Sequence, residues 1–279
     1  MPLKLMYITN KPEIATIAQA VGVDRIFVDL EYIGKAERQN GLDTVISHHS
    51  IADVAALRSV VTTSELMVRI NPIHVATAEY CSTEEEIDRV IAAGADSVML
   101  PYFKSAEEVE FFLRCVNGRA KPILLLETPE AVADLDRILA VPGVADIHIG
   151  LNDLSIGMGQ RFLFEPLMDG TVERVCRRIQ PTGLTYGFGG IASIGKGVVP
   201  GEHILMEHYR LGSSMAILSR SFCDITKIDN LEEVETIFTQ GVQKIRAYEA
   251  YCQEHPELWE ENRRETAALV EQTVARWMR

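Results

Sequence analysis

Glu127 stands out as the residue best placed for chemistry. It closes the run Ile123-Leu124-Leu125-Leu126-Glu127, a carboxylate behind four apolar side chains. An ionised carboxylate in such surroundings needs a compensating charge. Asp153 follows one structural unit later, just after the apolar run 145–151. If both sit at the tips of adjacent strands, about 5 Å apart, they can share one hard divalent cation. With only two protein oxygens, Mg2+ or Mn2+ would keep positions open for water and substrate. A buried ion pair of Glu127 with Arg69 or a lysine is the alternative. Arg69 itself ends an apolar run, in LMVRINP. Its fixed charge suits a developing oxyanion or a carboxylate, or it organises the site through an ion pair. Asp29 and Glu31 end the run RIFVDLE, and Pro101 ends SVMLP. The segment 150–159 carries three glycines and reads as a loop whose backbone amides can hold a substrate carboxylate, although any turn favours glycine. The segment GFGG at 187–190 is either a phosphate loop or a tight turn.

These residues need a scaffold that gathers strand ends. Short apolar runs at 3–9, 25–31, 66–71, 97–101, 123–128, 145–151, 185–191 and 214–218 alternate with amphipathic segments. The helical patterns cover 12–20, 51–61, 83–93, 105–116, 129–140, 171–179, 201–211 and 231–253. Residues 32–49 read as a long loop. Eight strands alternating with eight helices predict an α/β fold closed as a (β/α)8 TIM barrel, and continuous apolar strands agree with burial on both faces. The barrel is assigned to residues 1–255. Residues 256–279 form an extra C-terminal helix, packed on the barrel or on a neighbouring subunit. In such barrels the chemistry lies at the C-terminal ends of the strands, where all the residues above fall.

Composition narrows the partners. The net charge is −13, which repels nucleic-acid phosphates and anionic membranes. Five cysteines, none in a CxxC pair, argue against structural zinc and a disulfide framework. Neither a signal-peptide layout nor a membrane-length apolar run is apparent, so the expected location is cytoplasmic.

The motifs FVDLE (27–31), VRIN (68–71), GADSVMLP (94–101), LLET (125–128) and IGLNDLSIGMG (149–159) resemble those of the HpcH/HpaI aldolase and citrate lyase β-subunit family of pyruvate-binding barrels. The resemblance runs from about Arg25 to Phe222. It implies Glu127 and Asp153 as metal ligands, with Mg2+ preferred and Mn2+ or Co2+ as substitutes. It implies Arg69 as the group polarising pyruvate, with Gly150, Leu151, Asn152, Asp153 and Pro101 lining the 2-oxo acid. The implied activity is that of a class II aldolase, making or breaking a C–C bond between pyruvate and an aldehyde. A citrate-lyase-like acyl-CoA lyase and a non-catalytic oxo-acid-binding barrel are the alternatives. The family commonly forms trimers or hexamers, so a homo-oligomer is implied. Where many members carry Glu-His after the second strand, this chain has Glu31-Tyr32. Tyr32 with a lowered pKa, or His48 or His49 in the next segment, is the candidate for the missing base. Lys35 and Arg38 are candidates for an anionic substrate tail, or are solvent-exposed.

Overall fold

Alternate residues of a strand face opposite ways, and in this protein both faces are apolar. Phe27 joins Met6, Met67, Met99, Ile123, Leu125 and Met215 in one cluster inside the barrel, whereas Ile26 and Val28 belong to the larger core packed under the helices. The computed structural model describes residues 1–35, 47–228 and 230–277. Arg38 and most of the expected loop at 32–49 lie outside the described residues.

The strands are β1 (Lys4–Ile8), β2 (Arg25–Asp29), β3 (Glu65–Arg69), β4 (Ser97–Leu100), β5 (Lys121–Leu126), β6 (Asp146–Ile149), β7 (Thr185–Phe188), β8 (Gly190–Ile191) and β9 (Met215–Leu218). All pair in parallel, in the order β7-β6-β5-β4-β3-β2-β1-β9-β8. The expected strand at 185–191 is thus in two pieces, broken at Gly189 with φ +52°. Both pieces lie against β9: the Ser214 N–H donates to Tyr186 O and the Ser219 N–H to Ile191 O, each at 2.9 Å. That seam closes the TIM barrel. It also explains the glycines, since a Cβ on Gly187 would sit 2.1 Å from the Met215 carbonyl oxygen. In GFGG, Gly187 therefore serves a close approach of backbones.

The helices are α1 (Pro12–Ala20), α2 (Ile51–Arg58), α3 (Thr83–Ala92), α4 (Ala106–Val116), α5 (Pro129–Ala133), α6 (Leu135–Ala140), α7 (Leu151–Gly157), α8 (Glu165–Met168), α9 (Thr171–Ile179), α10 (Gly201–Arg210), α11 (Leu231–Glu254) and α12 (Trp259–Trp277). Ser50 opens α2 with a capping box to Asp53, and Ser82 and Thr128 cap α3 and α5. The expected helix at 129–140 breaks at Asp134, whose carboxylate accepts the Ala106 N–H at 2.9 Å. The segment 150–159 is corrected from a loop to a helix: Leu151 and Leu154, three apart, are both buried and anchor α7. The terminal helix α12 packs on its own barrel. Asn262 Nδ2 donates to His203 O (3.0 Å) and Glu207 Oε1 (3.1 Å) of α10, and Thr266 and Val270 are buried behind it.

The N-terminal end of the barrel is plugged by charge. Arg25, 1% exposed, pairs with Asp146 and with Glu65 (3.0 Å), and Lys121 reaches Glu65 at 2.8 Å. The opposite end carries the residues that the sequence singled out. Among the described residues no helix is long and apolar enough to cross a membrane.

Candidate active site

The strand period of two fixes which residues face the barrel axis. Phe27, Met67 and Leu125 point inward, so Asp29 and Glu31, Arg69 and Asn71, and Glu127 continue the inward faces of their strands. Register then sets the pairs. Asp29 is aligned with Arg69 across β2 and β3, and Leu126 with Ile149 across β5 and β6, which brings Glu127 level with Gly150.

Glu31, Glu127 and Asp153 come together: one carboxylate oxygen from each lies within 4.8 Å of the others, and all three residues are buried. Glu127 Oε1 accepts the Tyr102 N–H at 3.0 Å. Tyr102 holds that position with a left-handed backbone (φ 53°), a conformation that costs a non-glycine residue free energy and often marks a functional site. A Cβ on Gly150 would approach Glu127 Oε2 to 2.6 Å. Gly150 is extended (φ −82°), so here glycine supplies space rather than a special dihedral. Burial, and then the negative charges of Glu31 and Asp153, push the Glu127 carboxyl well above the usual range, against the opposing pull of Arg69 and the Tyr102 amide.

Arg69 does not pair directly with Glu127. Its Nε and Nη2 donate to the two oxygens of Asp29 at 2.8 and 2.7 Å, and Nη1 lies 3.2 Å from Glu31 Oε2. This side-on fork fixes the guanidinium over the Phe27 ring, 5.5 Å from its centroid. Burial works to raise the Asp29 carboxyl, but the Arg69 and Lys35 charges hold it well below the usual range. Lys35 is corrected: 4% exposed, it lies 3.2 Å from Glu31 and 3.4 Å from Asp29, so it is neither in solvent nor on a substrate tail.

Formal charge tests the fit of a cation. Fully ionised, Asp29, Glu31, Glu127 and Asp153 carry four negative charges, and Arg69 and Lys35 carry two positive ones. The surplus equals the charge of one divalent ion, and oxygen-only donors suit Mg2+ or Mn2+. The residues present fit the metal.

The candidate bases differ in their surroundings. Burial, followed by Glu86, Cys81 and Glu79, raises the Tyr32 phenol instead of lowering it, and its ring packs edge-on against Tyr80 at 5.5 Å. His49 accepts the Asp29 N–H on Nδ1 at 3.1 Å. In the neutral ring, favoured because burial lowers the His49 pKa, the proton is then on Nε2, which makes that nitrogen a donor. His48 is exposed. Pro101 is buried at the end of β4, and Gly150, Leu151, Asn152 and Asp153 form the junction of β6 with α7.

Several residues escaped the sequence reading. Asp29 ends an apolar run with no partner evident in the sequence, and the β2–β3 register pairs it with Arg69. Glu86 reads as one of three acids in the first turn of α3, yet it is fully buried. It accepts from Asn71 Nδ2 and from the Tyr80 hydroxyl, both at 2.8 Å. Tyr102 and Tyr80 carry no local signal at all.

Fold and site together define an α/β-barrel protein with an acidic, arginine-flanked centre at the C-terminal mouth, the usual seat of catalysis in such barrels. The family described as HpcH/HpaI aldolase/citrate lyase matches residues 4–162, more than half of the chain, and the chain belongs to that family. Membership supports a carbon–carbon lyase-type function, and the family is generally divalent-metal dependent. Solved structures agree on the fold. An HpcH/HpaI aldolase from Desulfitobacterium hafniense DCB-2 is 20% identical, with a TM-score of 0.61 over 88% of this chain and 93% of that one. A HpcH/HpaI aldolase/citrate lyase family protein from Burkholderia cenocepacia J2315 is 17% identical, with a TM-score of 0.62 over 84% and 94%. The citrate synthase SbnG is 16% identical, with a TM-score of 0.59 over 87% and 94%. No curated protein sequence matches the chain.

Proposed function

We propose that the protein is a metal-dependent aldolase that makes or breaks a C–C bond between pyruvate and an aldehyde. The observation that carries this reading is the trio of buried carboxylates within 4.8 Å beside Arg69. Glu127 and Asp153 would hold the cation, with Glu31 offering a third oxygen. When bound, a divalent cation supplies Lewis-acid polarisation of a 2-oxo acid.

The remaining roles fall to the chain itself. Arg69 places fixed positive charge where an oxyanion develops at C2 of pyruvate. Asp29 orients that guanidinium through its two hydrogen bonds, and His49 orients Asp29 through the backbone. Lys35 offsets the charge of Asp29 and Glu31. Pro101 and the Gly150–Leu151–Asn152–Asp153 junction border the space for the 2-oxo acid, by the family resemblance. The barrel walls exclude water from the acid cluster, which strengthens each of these interactions.

Pyruvate methyl-proton exchange in D2O, followed by NMR with and without Mn2+, tests the reading without knowledge of the aldehyde. Metal-dependent exchange in the wild type, lost in Glu127→Ala, is expected. No exchange with the metal bound would overturn it.

A further inference from the structure

The segment after β2 exposes an aromatic ring next in the chain to one member of the acid cluster. Tyr32 follows Glu31 directly, yet Tyr32 is 46% exposed and Glu31 is fully buried. The ring is held from behind. The backbone N–H groups of Tyr32 and Ile33 both donate to Asn71 Oδ1, at 2.9 and 3.0 Å. Asn71 Nδ2 donates to Glu86 Oε1 at 2.8 Å, and the Tyr80 hydroxyl donates to the same oxygen at 2.8 Å. The two tyrosine rings meet at 86°, 5.5 Å apart. One buried carboxylate on α3 thus ties together the connections that follow β2 and β3 at the barrel mouth.

Resting on the aldolase reading above, we propose that Tyr32 and Tyr80 form the wall against which the aldehyde packs, and that this aldehyde carries a neutral aryl group. Two features select that class. A preorganised aromatic face loses little freedom on binding and favours another ring in stacked or edge-on contact. The wall is backed by acidic side chains: the Tyr80 hydroxyl donates to Glu86 Oε1 at 2.8 Å, and Glu79 precedes Tyr80 in the chain. An acidic substrate tail would be repelled there. In the reaction, C3 of pyruvate loses a proton and bonds to the aldehyde carbon, whose oxygen gains a proton. The product is a 4-aryl-4-hydroxy-2-oxobutanoate, with no change in oxidation state overall.

The test compares kcat/KM for benzaldehyde and for glyoxylate, with pyruvate and Mn2+ held constant. The wild type is expected to prefer benzaldehyde. Tyr32→Ala should lower the benzaldehyde-to-glyoxylate ratio by about tenfold or more, mainly through KM, and Tyr32→Phe should keep the wild-type ratio. Equal losses for both aldehydes in Tyr32→Ala would show a structural role and overturn the proposal. Loss of turnover in Tyr32→Phe would instead assign the hydroxyl to proton transfer, and would overturn it as well. A wild type that exchanges pyruvate protons but prefers glyoxylate overturns this proposal alone. A wild type without metal-dependent exchange overturns the aldolase reading beneath it.

Discussion

Gly150→Ala isolates the geometry of the acid cluster from its composition. The backbone at Gly150 is ordinary (φ −82°, ψ 96°), so alanine fits the main chain without strain. The obstacle is space: the new methyl would lie 2.6 Å from Glu127 Oε2, 2.8 Å from Glu127 Cβ and 3.2 Å from Leu125 Cδ1. Non-bonded carbon contacts settle near 3.5–4.0 Å, so the Glu127 side chain must retreat by about 1 Å. Overpacking of this kind costs roughly 1–3 kcal/mol of stability. A displacement of about 1 Å at a reacting centre costs about a hundredfold in rate. The expected variant is folded, slightly less stable, and impaired about a hundredfold in metal-dependent pyruvate exchange, with weaker Mn2+ binding by calorimetry. Thermal unfolding and circular dichroism verify the fold. Wild-type Mn2+ affinity and exchange in a folded Gly150→Ala protein would refute the claim that Glu127 must occupy its present position.

Lys35→Met removes a buried cation from between Asp29 and Glu31, and breaking a buried pair typically costs roughly 3–5 kcal/mol. Its unfolding midpoint should fall without metal, while Mn2+ should bind more tightly because the net negative charge of the cluster grows; weaker Mn2+ binding would contradict the charge balance argued here. His208 and His148 make stability depend on pH. Burial lowers His208 to about 3 and His148 to about 4, whereas both titrate near 6.5 when unfolded. Each therefore contributes stability that is complete above about pH 6.5 and is lost as the pH falls toward the folded value, at about 1.4 kcal/mol per pH unit. Urea unfolding between pH 5.5 and 4.5 should show a slope smaller by about that amount in His208→Gln than in the wild type, and equal slopes would refute a neutral buried His208.

Much of this protein is fixed by local pattern. Apolar runs such as 123–126, bounded by turn signals and alternating with amphipathic segments, determine the eightfold α/β order, because burial on both faces favours apolar side chains along most of a strand. The same pattern puts Glu127, Arg69 and Glu31 at strand ends, and the motifs around them carry the family. What only the tertiary structure decided is which of these charges meet. Asp29 captures Arg69, and Lys35 lies beside both Asp29 and Glu31, through register and a chain reversal that local sequence does not encode. Glu86 turns inward from a run of three acids that look alike in sequence. Gly187 and Gly190 answer a backbone on β9, and Gly150 answers the Glu127 side chain at the end of β5. Periodicity is a property of neighbours along the chain, whereas steric fit and charge pairing depend on distances between segments. Those distances exist only once the barrel has closed.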